Sequence, residues 1–300
     1  MTAVLEANDL GKRYGRRQAL SDCTLTVPSG RVVGLVGPNG AGKTTLLQLA
    51  VGLLAPTSGT IAVLGEPPGS GATQLAKVGF VAQDTPTYSG LSIADHLRLG
   101  ERLNPGWDPK VAARRIEQLG LDPGQRAGRL SGGQRAQLAL TLAVAKRPDL
   151  LILDEPVASL DPLARREFLQ GLMEFIAEQG ATVVLSSHLV ADLERVCDYL
   201  IVLAASRVQI AGDVDELLAT HHRLTGTRRD PATLPEGMEV IEASHTDRQS
   251  TLIVRSSAPV DDPGWSVEQL SLEDLVLAYM TRAATAAGRY TPSPAMGTQR

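Results

Sequence analysis

The N-terminal two thirds of the chain alternate short apolar runs with helix-type patterns, from Met1 to about Thr220. Three of these runs are apolar without alternation, namely 31–37, 150–153 and 182–185. Such runs are typical of parallel strands that are buried on both faces of a sheet. The alternation of strands with helices predicts an α/β fold class.

Two helices adjoin these strands. One is predicted from Thr44 to Leu53, directly after the first strand. The other lies between the second and third strands, where Asp161 can cap it, Pro162 suits its first position and Gly180 can end it. Apolar residues recur along it at helical spacing and predict a buried stripe. The predicted stripe consists of Leu169, Leu172, Met173 and Ile176.

From about Asp84 to Pro148 the pattern becomes helical, which predicts a helical insert in the α/β core. One of its helices is opened by Asp108-Pro109. The apolar face of that helix is formed by Val111, Ile116 and Leu119.

After about residue 221 the character of the chain changes again. The polar segment His222 to Pro235 has the composition of a linker. Short strands are predicted at 238–241 and 251–254, followed by an amphipathic helix over 271–282. The last stretch, 283–300, is rich in Ala, Thr, Gly and Pro, and we expect it to be disordered.

Composition narrows the class of protein. The 300 residues include 29 basic and 33 acidic ones, a formal net charge of −4 that provides no basic field for nucleic acid. Cys23 and Cys197 are too few for a disulfide framework and fit a reducing cytosol. We found no apolar signal core at the N-terminus and no apolar run of the ~20 residues that cross a bilayer. These features predict an intracellular protein without nucleic-acid partners.

A glycine-rich segment follows the first strand and fits the pattern G-x-x-x-x-G-K-[ST]. Backbone N–H groups of such a loop, with the N-terminus of the next helix, can hold a polyphosphate. Lys43 is placed to reach the β- and γ-phosphates, and the Thr44 hydroxyl to ligate Mg²⁺. The residues predicted to contact ATP here are Gly37, Pro38, Asn39, Gly40, Ala41, Gly42, Lys43, Thr44 and Thr45.

Two adjacent carboxylates, Asp154 and Glu155, end the second strand. Open α/β sheets bind ligands at this edge. Asp154 is placed to hold Mg²⁺, mainly through water, and Glu155 to orient and deprotonate the attacking water. An acidic helix cap is the other interpretation of this pair. Together with the phosphate loop, the pair indicates hydrolysis of a nucleoside triphosphate.

The segment Leu130-Ser-Gly-Gly-Gln134 opens a helix predicted from Arg135 to Lys146. Two glycines at a helix start cost roughly 1 kcal/mol each relative to Ala, which indicates that a backbone or a phosphate approaches closely. Ser131 and Gln134 also have the spacing of a capping box, so a simple N-cap is the alternative.

Taken together, these segments resemble the ATP-binding cassette (ABC) family over residues 4 to about 217. The resemblance implies a P-loop NTPase (RecA-like) fold with an antiparallel β edge and an α-helical subdomain, and ATP and Mg²⁺ as cofactors. On this basis we expect a nucleotide-binding domain at 1–222, with its helical subdomain at about 84–148. A small α+β accessory domain would occupy 223–282. In this family two cassettes pack head to tail, so a homodimer is implied.

The resemblance also assigns roles to single residues. In trans, Ser131, Gly132, Gly133 and Gln134 of one copy would reach the γ-phosphate held by Lys43 of the other. Gln83 resembles the glutamine that contacts Mg²⁺. His188 resembles the switch histidine that contacts the γ-phosphate and supports the water. Catalysis would then rest on Glu155, His188, Gln83 and Lys43, and the metal ligands would be Thr44, Gln83 and Asp154.

Two further residues carry over from the family. Tyr14, in Gly11-Lys-Arg-Tyr-Gly15, resembles the aromatic that stacks on adenine. Asp161, in Ser159-Leu160-Asp161, resembles the dimer-loop aspartate, although capping of the next helix is a full alternative.

The helix that Leu130–Gln134 opens, called the signature helix below, departs from the family. Neutral Gln137 and Thr141-Leu142 stand where many members carry arginines. These changes affect the support of that helix rather than the phosphate ligands.

The function implied by the resemblance is the ATP-hydrolysing subunit of an ABC transporter, with a separate membrane permease as partner at the inner face of the membrane. The segment 270–279 closely resembles the helix that ends many exporter cassettes, which favours export, for example of drugs or antibiotics. An amphipathic helix packing its own domain is the alternative for that segment. An importer cassette and a soluble ABC ATPase that is not a transporter remain the alternative functions.

Overall fold

The chain begins with an antiparallel β-hairpin that a third strand joins. The computed structural model describes residues 2–228, 237–260 and 262–288. Strands β1 (Ala3–Tyr14) and β2 (Arg17–Pro28) form the hairpin, and β4 (Ser58–Val63) pairs with the other side of β1. This sheet is the predicted antiparallel β edge.

A second sheet of six strands lies beside it, in the order β5-β6-β7-β3-β8-β9. Its strands are parallel except for the last pair, β8 and β9. Their bounds are Val32–Val36 (β3), Val78–Val81 (β5), Leu150–Leu153 (β6), Thr182–Ser187 (β7), Tyr199–Ala204 (β8) and Arg207–Asp213 (β9). The three runs predicted as buried strands are β3, β6 and β7, and every residue in them is buried. The α/β fold class is thereby confirmed.

Helices cover both faces of this sheet. They are α1 (Lys43–Ala50), α2 (Ala72–Lys77), α6 (Pro162–Gln179), α7 (Val190–Leu193) and α8 (Val214–Thr220). Helix α1 ends three residues before the predicted Leu53, because the chain turns at Gly52 with a φ of 76°. For α6 the predicted signals are confirmed, since Asp161 caps it and Gly180 ends it in the left-handed conformation.

The buried face of α6 differs from the predicted stripe. Phe168, Leu172 and Phe175 are buried, whereas Met173 is 37% exposed. Leu169 and Ile176 are only partly buried. Both sets satisfy helical spacing, and the larger aromatic side chains face the sheet because their burial removes more apolar surface from water.

The predicted helical insert consists of α3 (Ile93–Leu103), α4 (Pro109–Gln118), a short 3₁₀ turn (Ala127–Arg129) and α5 (Gly132–Ala145). Asp108 caps α4 with its carboxylate, as the sequence predicts. Helix α5 begins at Gly132, three residues earlier than predicted, so both glycines lie in its first turn.

A third, antiparallel sheet follows, in the order β11-β12-β10-β13. Its strands are β10 (His221–Thr227), β11 (Met238–His245), β12 (Gln249–Ser256) and β13 (Trp265–Gln269). The linker prediction for 222–235 is wrong over 222–227, since β10 is an inner strand of this sheet. Its polar residues fit there because only His221 and Leu224 are fully buried. Residues 229–236 lie outside the described residues.

Helix α9 (Leu272–Ala286) completes the chain's described part, with Ser271 as its N-cap. Residues 283–286 are helical, which corrects the prediction that disorder begins at 283, while 289–300 lie outside the described residues. The helix packs against β8, β9, α7 and β11. Its apolar side chains share one hydrophobic cluster with Leu200 and Val202 of β8. The third sheet is therefore joined to the rest of the fold through a common core.

Within the described ranges, no helix is both long and apolar enough to cross a membrane.

Candidate functional site

The glycine-rich loop joins β3 to α1 in a conformation that requires glycine at two positions. A Cβ on Gly37 would lie 2.0 Å from the Leu203 carbonyl oxygen, and one on Gly42 would lie 2.5 Å from that of Ala19. Gly42 also has a φ of 111°. It is the N-cap residue of α1, and no side chain caps that helix. The first N–H groups of α1 are thus left for an anionic ligand.

This loop forms one wall of a cavity of about 540 Å³. Residues 39–45 line it together with Tyr14, Gln83, Glu155 and His188. The structure therefore brings together most of the residues that the sequence predicts to act on the nucleotide. Gly37 and Pro38 belong to the same loop but do not line the cavity.

Lys43 is buried at the base of this cavity. Its Nζ lies 3.0 Å from Glu155 Oε1 and donates a hydrogen bond of 2.8 Å to the Gly37 carbonyl oxygen. A buried ammonium requires such partners, because burial without them costs several kcal/mol.

Glu155 binds His188 as well, with 2.9 Å between its Oε2 and His188 Nδ1. Burial raises the pKa of Glu155, but hydrogen bonds and charges from Lys43 and His188 outweigh it and hold this pKa below its usual value. The carboxylate is therefore ionised at neutral pH. Its backbone φ of 45° is one of the left-handed values that cost of order 1–3 kcal/mol in a non-glycine residue.

Ser186 at the end of β7 holds the acidic pair in place. Its hydroxyl donates to Asp154 Oδ1 at 2.8 Å and accepts the Glu155 N–H at 2.8 Å. Asp154 is 1% exposed, and burial raises the pKa of its carboxyl group. Sequence reasoning missed Ser186. The available signal was a serine pair ending a strand whose centre is apolar.

The Ser131 turn lies elsewhere in the described fold, since none of residues 131–134 lines the cavity of Lys43. Ser131 and Gln134 form the predicted capping box, each side chain accepting the other's backbone N–H. A Cβ on Gly133 would meet the Ala164 Cβ of α6 at 3.0 Å, whereas one on Gly132 would meet nothing within 4 Å. Packing within the chain thus accounts for one glycine and leaves the other open to solvent.

Asp161 caps α6 by accepting the N–H groups of Leu163 and Ala164. The capping interpretation of this residue is confirmed, and its carboxylate does not line the cavity of Lys43.

Comparison with known proteins decides the family. The model of the ABC transporter family matches residues 20–158. The Nod factor export ATP-binding protein I of Cupriavidus pinatubonensis is 37% identical over 226 residues, which cover 73% of this chain and 69% of that protein. The chain belongs to the ABC transporter ATP-binding proteins.

Two further relatives agree with this assignment. The sulfate/thiosulfate import ATP-binding protein CysA of Brucella melitensis biotype 1 is 34% identical over 248 residues, covering 79% of this chain and 69% of that protein. A solved structure of an ATP-binding subunit of an ABC transporter matches with a TM-score of 0.65 at 30% identity, covering 72% of this chain and 92% of that one. This cassette binds ATP and is an ATPase that powers transport.

The residues around Asp154 fit a magnesium ion. The Thr44 hydroxyl lies close enough to the Asp154 carboxylate to lower the pKa of that group, and Gln83 lines the adjoining cavity. No three His, Cys, Asp or Glu side chains form a metal-binding group in the part of the chain that the structure describes. One carboxylate with neutral oxygens and nucleotide phosphates is a donor set that Mg²⁺ accepts. The bound ion would neutralise charge on the phosphates.

Tyr14 and Arg17 stand at the mouth of the cavity of this ABC cassette. Tyr14 ends β1, is 45% exposed, and has Lys12 Nζ 5.4 Å from its ring centre. An exposed ring at this position is free to stack on a base. Arg17 was not predicted, and its Nη2 lies 3.6 Å from the position of a Cβ on Gly40. The signal for it was a basic pair directly after the Tyr14-Gly15 turn.

Proposed function

We propose that two copies of this cassette bind ATP head to tail and that its hydrolysis powers export through a separate permease. The observation that carries the proposal is the division of the site. Lys43, Glu155 and His188 meet in one cavity, whereas the Ser131 turn is exposed outside it. A nucleotide can contact both only if a second copy supplies the Ser131 turn.

The chemistry follows from the contacts of Lys43. A γ-phosphate entering the cavity competes with Glu155 for the Lys43 ammonium group. The released carboxylate can take the proton of a water that His188 helps to position. The water oxygen then bonds to the γ-phosphorus as the bond to the ADP oxygen breaks. Thr44, Gln83 and Asp154 would hold Mg²⁺, and Tyr14 would hold the adenine.

The Ser131 turn of the second copy would add N–H groups at the start of α5 to the γ-phosphate. Helix N-termini stabilise negative charge. Closure of the two copies would be driven by ATP binding and reversed by hydrolysis. This cycle converts a phosphate contact into a rigid-body movement.

The permease would dock on the helical insert and the segment after Gln83. Tyr88, 66% exposed, lies in that segment, and Leu103 at the end of α3 is 69% exposed. Large apolar side chains at a surface are common in protein interfaces. The cassette would then work at the inner face of the cell membrane. In this division of the chain, 1–222 is the nucleotide-binding domain and 223–282 the accessory domain.

Export is supported by the similarity of the 270–279 segment to the C-terminal helix of exporter cassettes, and by the export protein among the relatives. Import is the second candidate, because the sulfate/thiosulfate import protein is almost as similar.

The Glu155→Gln variant tests the two-copy scheme. Because the amide cannot take a proton from water, the variant should bind ATP without hydrolysing it and accumulate as a dimer. Size-exclusion chromatography with light scattering should show the dimer with Mg-ATP and a monomer with ADP. A variant that stays monomeric with ATP at every protein concentration would contradict the scheme.

Transport direction needs the permease. The cassette can be reconstituted into proteoliposomes with a candidate permease, with the cassette facing outward. An exporter should then move its substrate into the lumen when ATP is added outside. ATP-driven release of substrate from the lumen would establish an importer. If the cassette did not associate with the membrane protein, the soluble ATPase would be favoured.

A further inference from the structure

Helices α4, α5 and α6 line an open cavity of about 360 Å³, away from the nucleotide site. Arg115 of α4 projects into it and is only 7% exposed. Among the described residues that line this cavity, Arg115 is the one cation, and Glu167 and Glu174 of α6 line the same cavity. The described ion pairs include none for Arg115, so no carboxylate holds it directly.

Arg115 instead links the two neighbouring helices. Its Nη1 donates to the Gly171 carbonyl oxygen of α6 at 3.1 Å, and its Nε to Thr141 Oγ1 of α5 at 3.4 Å. The Thr141 hydroxyl in turn donates to the Gln137 carbonyl oxygen at 2.8 Å. One buried guanidinium group thus connects all three helices.

Helices α5 and α6 run side by side in the same direction. Near their starts, the position of a Cβ on Gly133 is 3.0 Å from Ala164, and further along Arg115 connects Thr141 to Gly171. Thr141 lies ten residues after Ser131, and Gly171 lies ten residues after Asp161. At 1.5 Å per residue, the Arg115 link is about 15 Å from both helix starts.

The sequence of α6 accommodates this link. Gly171 lies in the middle of the helix, where Gly costs about 1 kcal/mol relative to Ala. A Cβ there would lie 3.0 Å from Arg115 Nη2, so the absent side chain leaves room for the guanidinium. Neutral Gln137 and Thr141 face this cation from α5. The side-chain oxygen of Gln137 is buried without a hydrogen-bond partner.

We propose that Arg115 is a positioning residue for hydrolysis, which fixes the Ser131 turn relative to the Asp161 turn. The resemblance of Asp161 to the dimer-loop aspartate implies that a partner copy meets both turns at once. A shift of α5 along α6 would then misplace one of them. The inference rests on the two-copy function proposed above. Arg115 acts at a distance, since it does not line the cavity of Lys43.

The test compares Arg115→Met, Arg115→Lys and Arg114→Gln in the full chain. Arg115→Met should lower kcat about 10-fold and leave the KM for ATP within about twofold, because only the meeting of two copies is impaired. Arg115→Lys should recover part of kcat, since a lysine restores the charge but not the two-point link. The control, Arg114, forms an exposed pair with Glu178 and should change neither constant.

The Gly171→Ala variant alters the contact between Arg115 and α6 from the side of α6. The alanine favours the helix, so the unfolding temperature should stay the same or rise, while kcat falls as the guanidinium is displaced. This combination separates positioning from a loss of stability. An Arg115→Met variant with wild-type kcat, or one with a raised KM and unchanged kcat, overturns the inference.

ATPase rates measured at several dilutions of the wild-type protein distinguish a failure of the Arg115 role from a failure of the two-copy function. If the rate per molecule falls on dilution but Arg115→Met behaves as wild type, only the role of Arg115 is wrong. If the wild-type rate per molecule does not change with concentration, the two-copy function fails and the role of Arg115 with it.

Discussion

Lys43 Nζ and Glu155 Oε1 lie 3.0 Å apart, so the group proposed to hold the terminal phosphate is paired with the group proposed to activate water. Each neutralises the other in a buried site. The base is then engaged until a phosphate takes its place on the ammonium group. This arrangement ties water activation to the presence of the nucleotide.

The pairing predicts a larger response to nucleotide when Glu155 is neutral. Without nucleotide, Glu155→Gln should unfold at a lower temperature than the wild type, because buried Lys43 loses its charged partner. A non-hydrolysable ATP analogue with Mg²⁺ should raise that temperature more in the variant, since no ion pair must first be broken. Thermal unfolding measures both effects, with exposed Glu101→Gln as the control. Equal shifts in the two proteins would show that the pair does not compete with phosphate.

Neutralising Asp154 should have the opposite effect on the unfolding temperature of the nucleotide-free protein. The pKa of Asp154 is raised by burial, so the folded state disfavours the charged form, and stability falls as pH rises above the usual value. Asp154→Asn removes this penalty and should unfold at a higher temperature at pH 7 without nucleotide. The gain should shrink as pH is lowered toward 4. The variant should also lose the stabilisation that Mg²⁺ adds to ATP.

Asp149→Asn is the matched control for this experiment, because Asp149 is exposed on the same stretch of chain. A lower unfolding temperature for Asp154→Asn at pH 7 would mean that the carboxylate stabilises the free fold.

The two glycines of the signature helix should respond differently to substitution. Gly132→Leu adds a side chain where nothing lies within 4 Å, so the monomer should remain as stable as the wild type. In the Glu155→Gln background it should prevent the ATP-dependent dimer. Gly133→Ala should lower the unfolding temperature because its Cβ meets Ala164. If the Gly132→Leu variant still formed the dimer, the partner copy would not contact the start of α5 at Gly132.

The orientation of α6 can be tested by replacing two of its side chains with alanine. Phe175→Ala should lower the free energy of unfolding by about 3–5 kcal/mol, as for other buried aromatic residues. Met173→Ala should lower it by no more than about 1 kcal/mol, because that residue is 37% exposed and lies outside the buried face of the helix. Denaturant unfolding measures both. Comparable losses would mean that the helix is rotated from the orientation described.

The nucleotide site was predictable because phosphate binding fixes residue types at fixed spacings along one segment. The loop at 37–45 and the pair Asp154-Glu155 are of this kind. Ser186 was not predictable in the same way, because its partners lie on another strand and meet it only when β6 and β7 pair. The role of Arg115 was not predictable for a similar reason, because its two acceptors belong to separate helices.

Two errors in the fold predicted from the sequence have a common cause. Strand β10 was interpreted as a linker because its side chains are polar, yet its place between β12 and β13 depends on those later strands. The stripe of α6 was assigned from spacing alone, which two sets of residues satisfied. Local patterns determine that an element forms more reliably than which neighbours it contacts.

Helix α9 lies against β8, the strand next to the one that carries the phosphate loop, and Tyr279 on it bonds the buried His221 at 2.9 Å. A protein shortened at residue 222 would expose the apolar floor on which this helix rests. Expression of the first 222 residues alone should therefore give aggregated material. A ligand that shifted the small sheet would act through α9 on β8, and so on the neighbour of the strand that carries the phosphate loop.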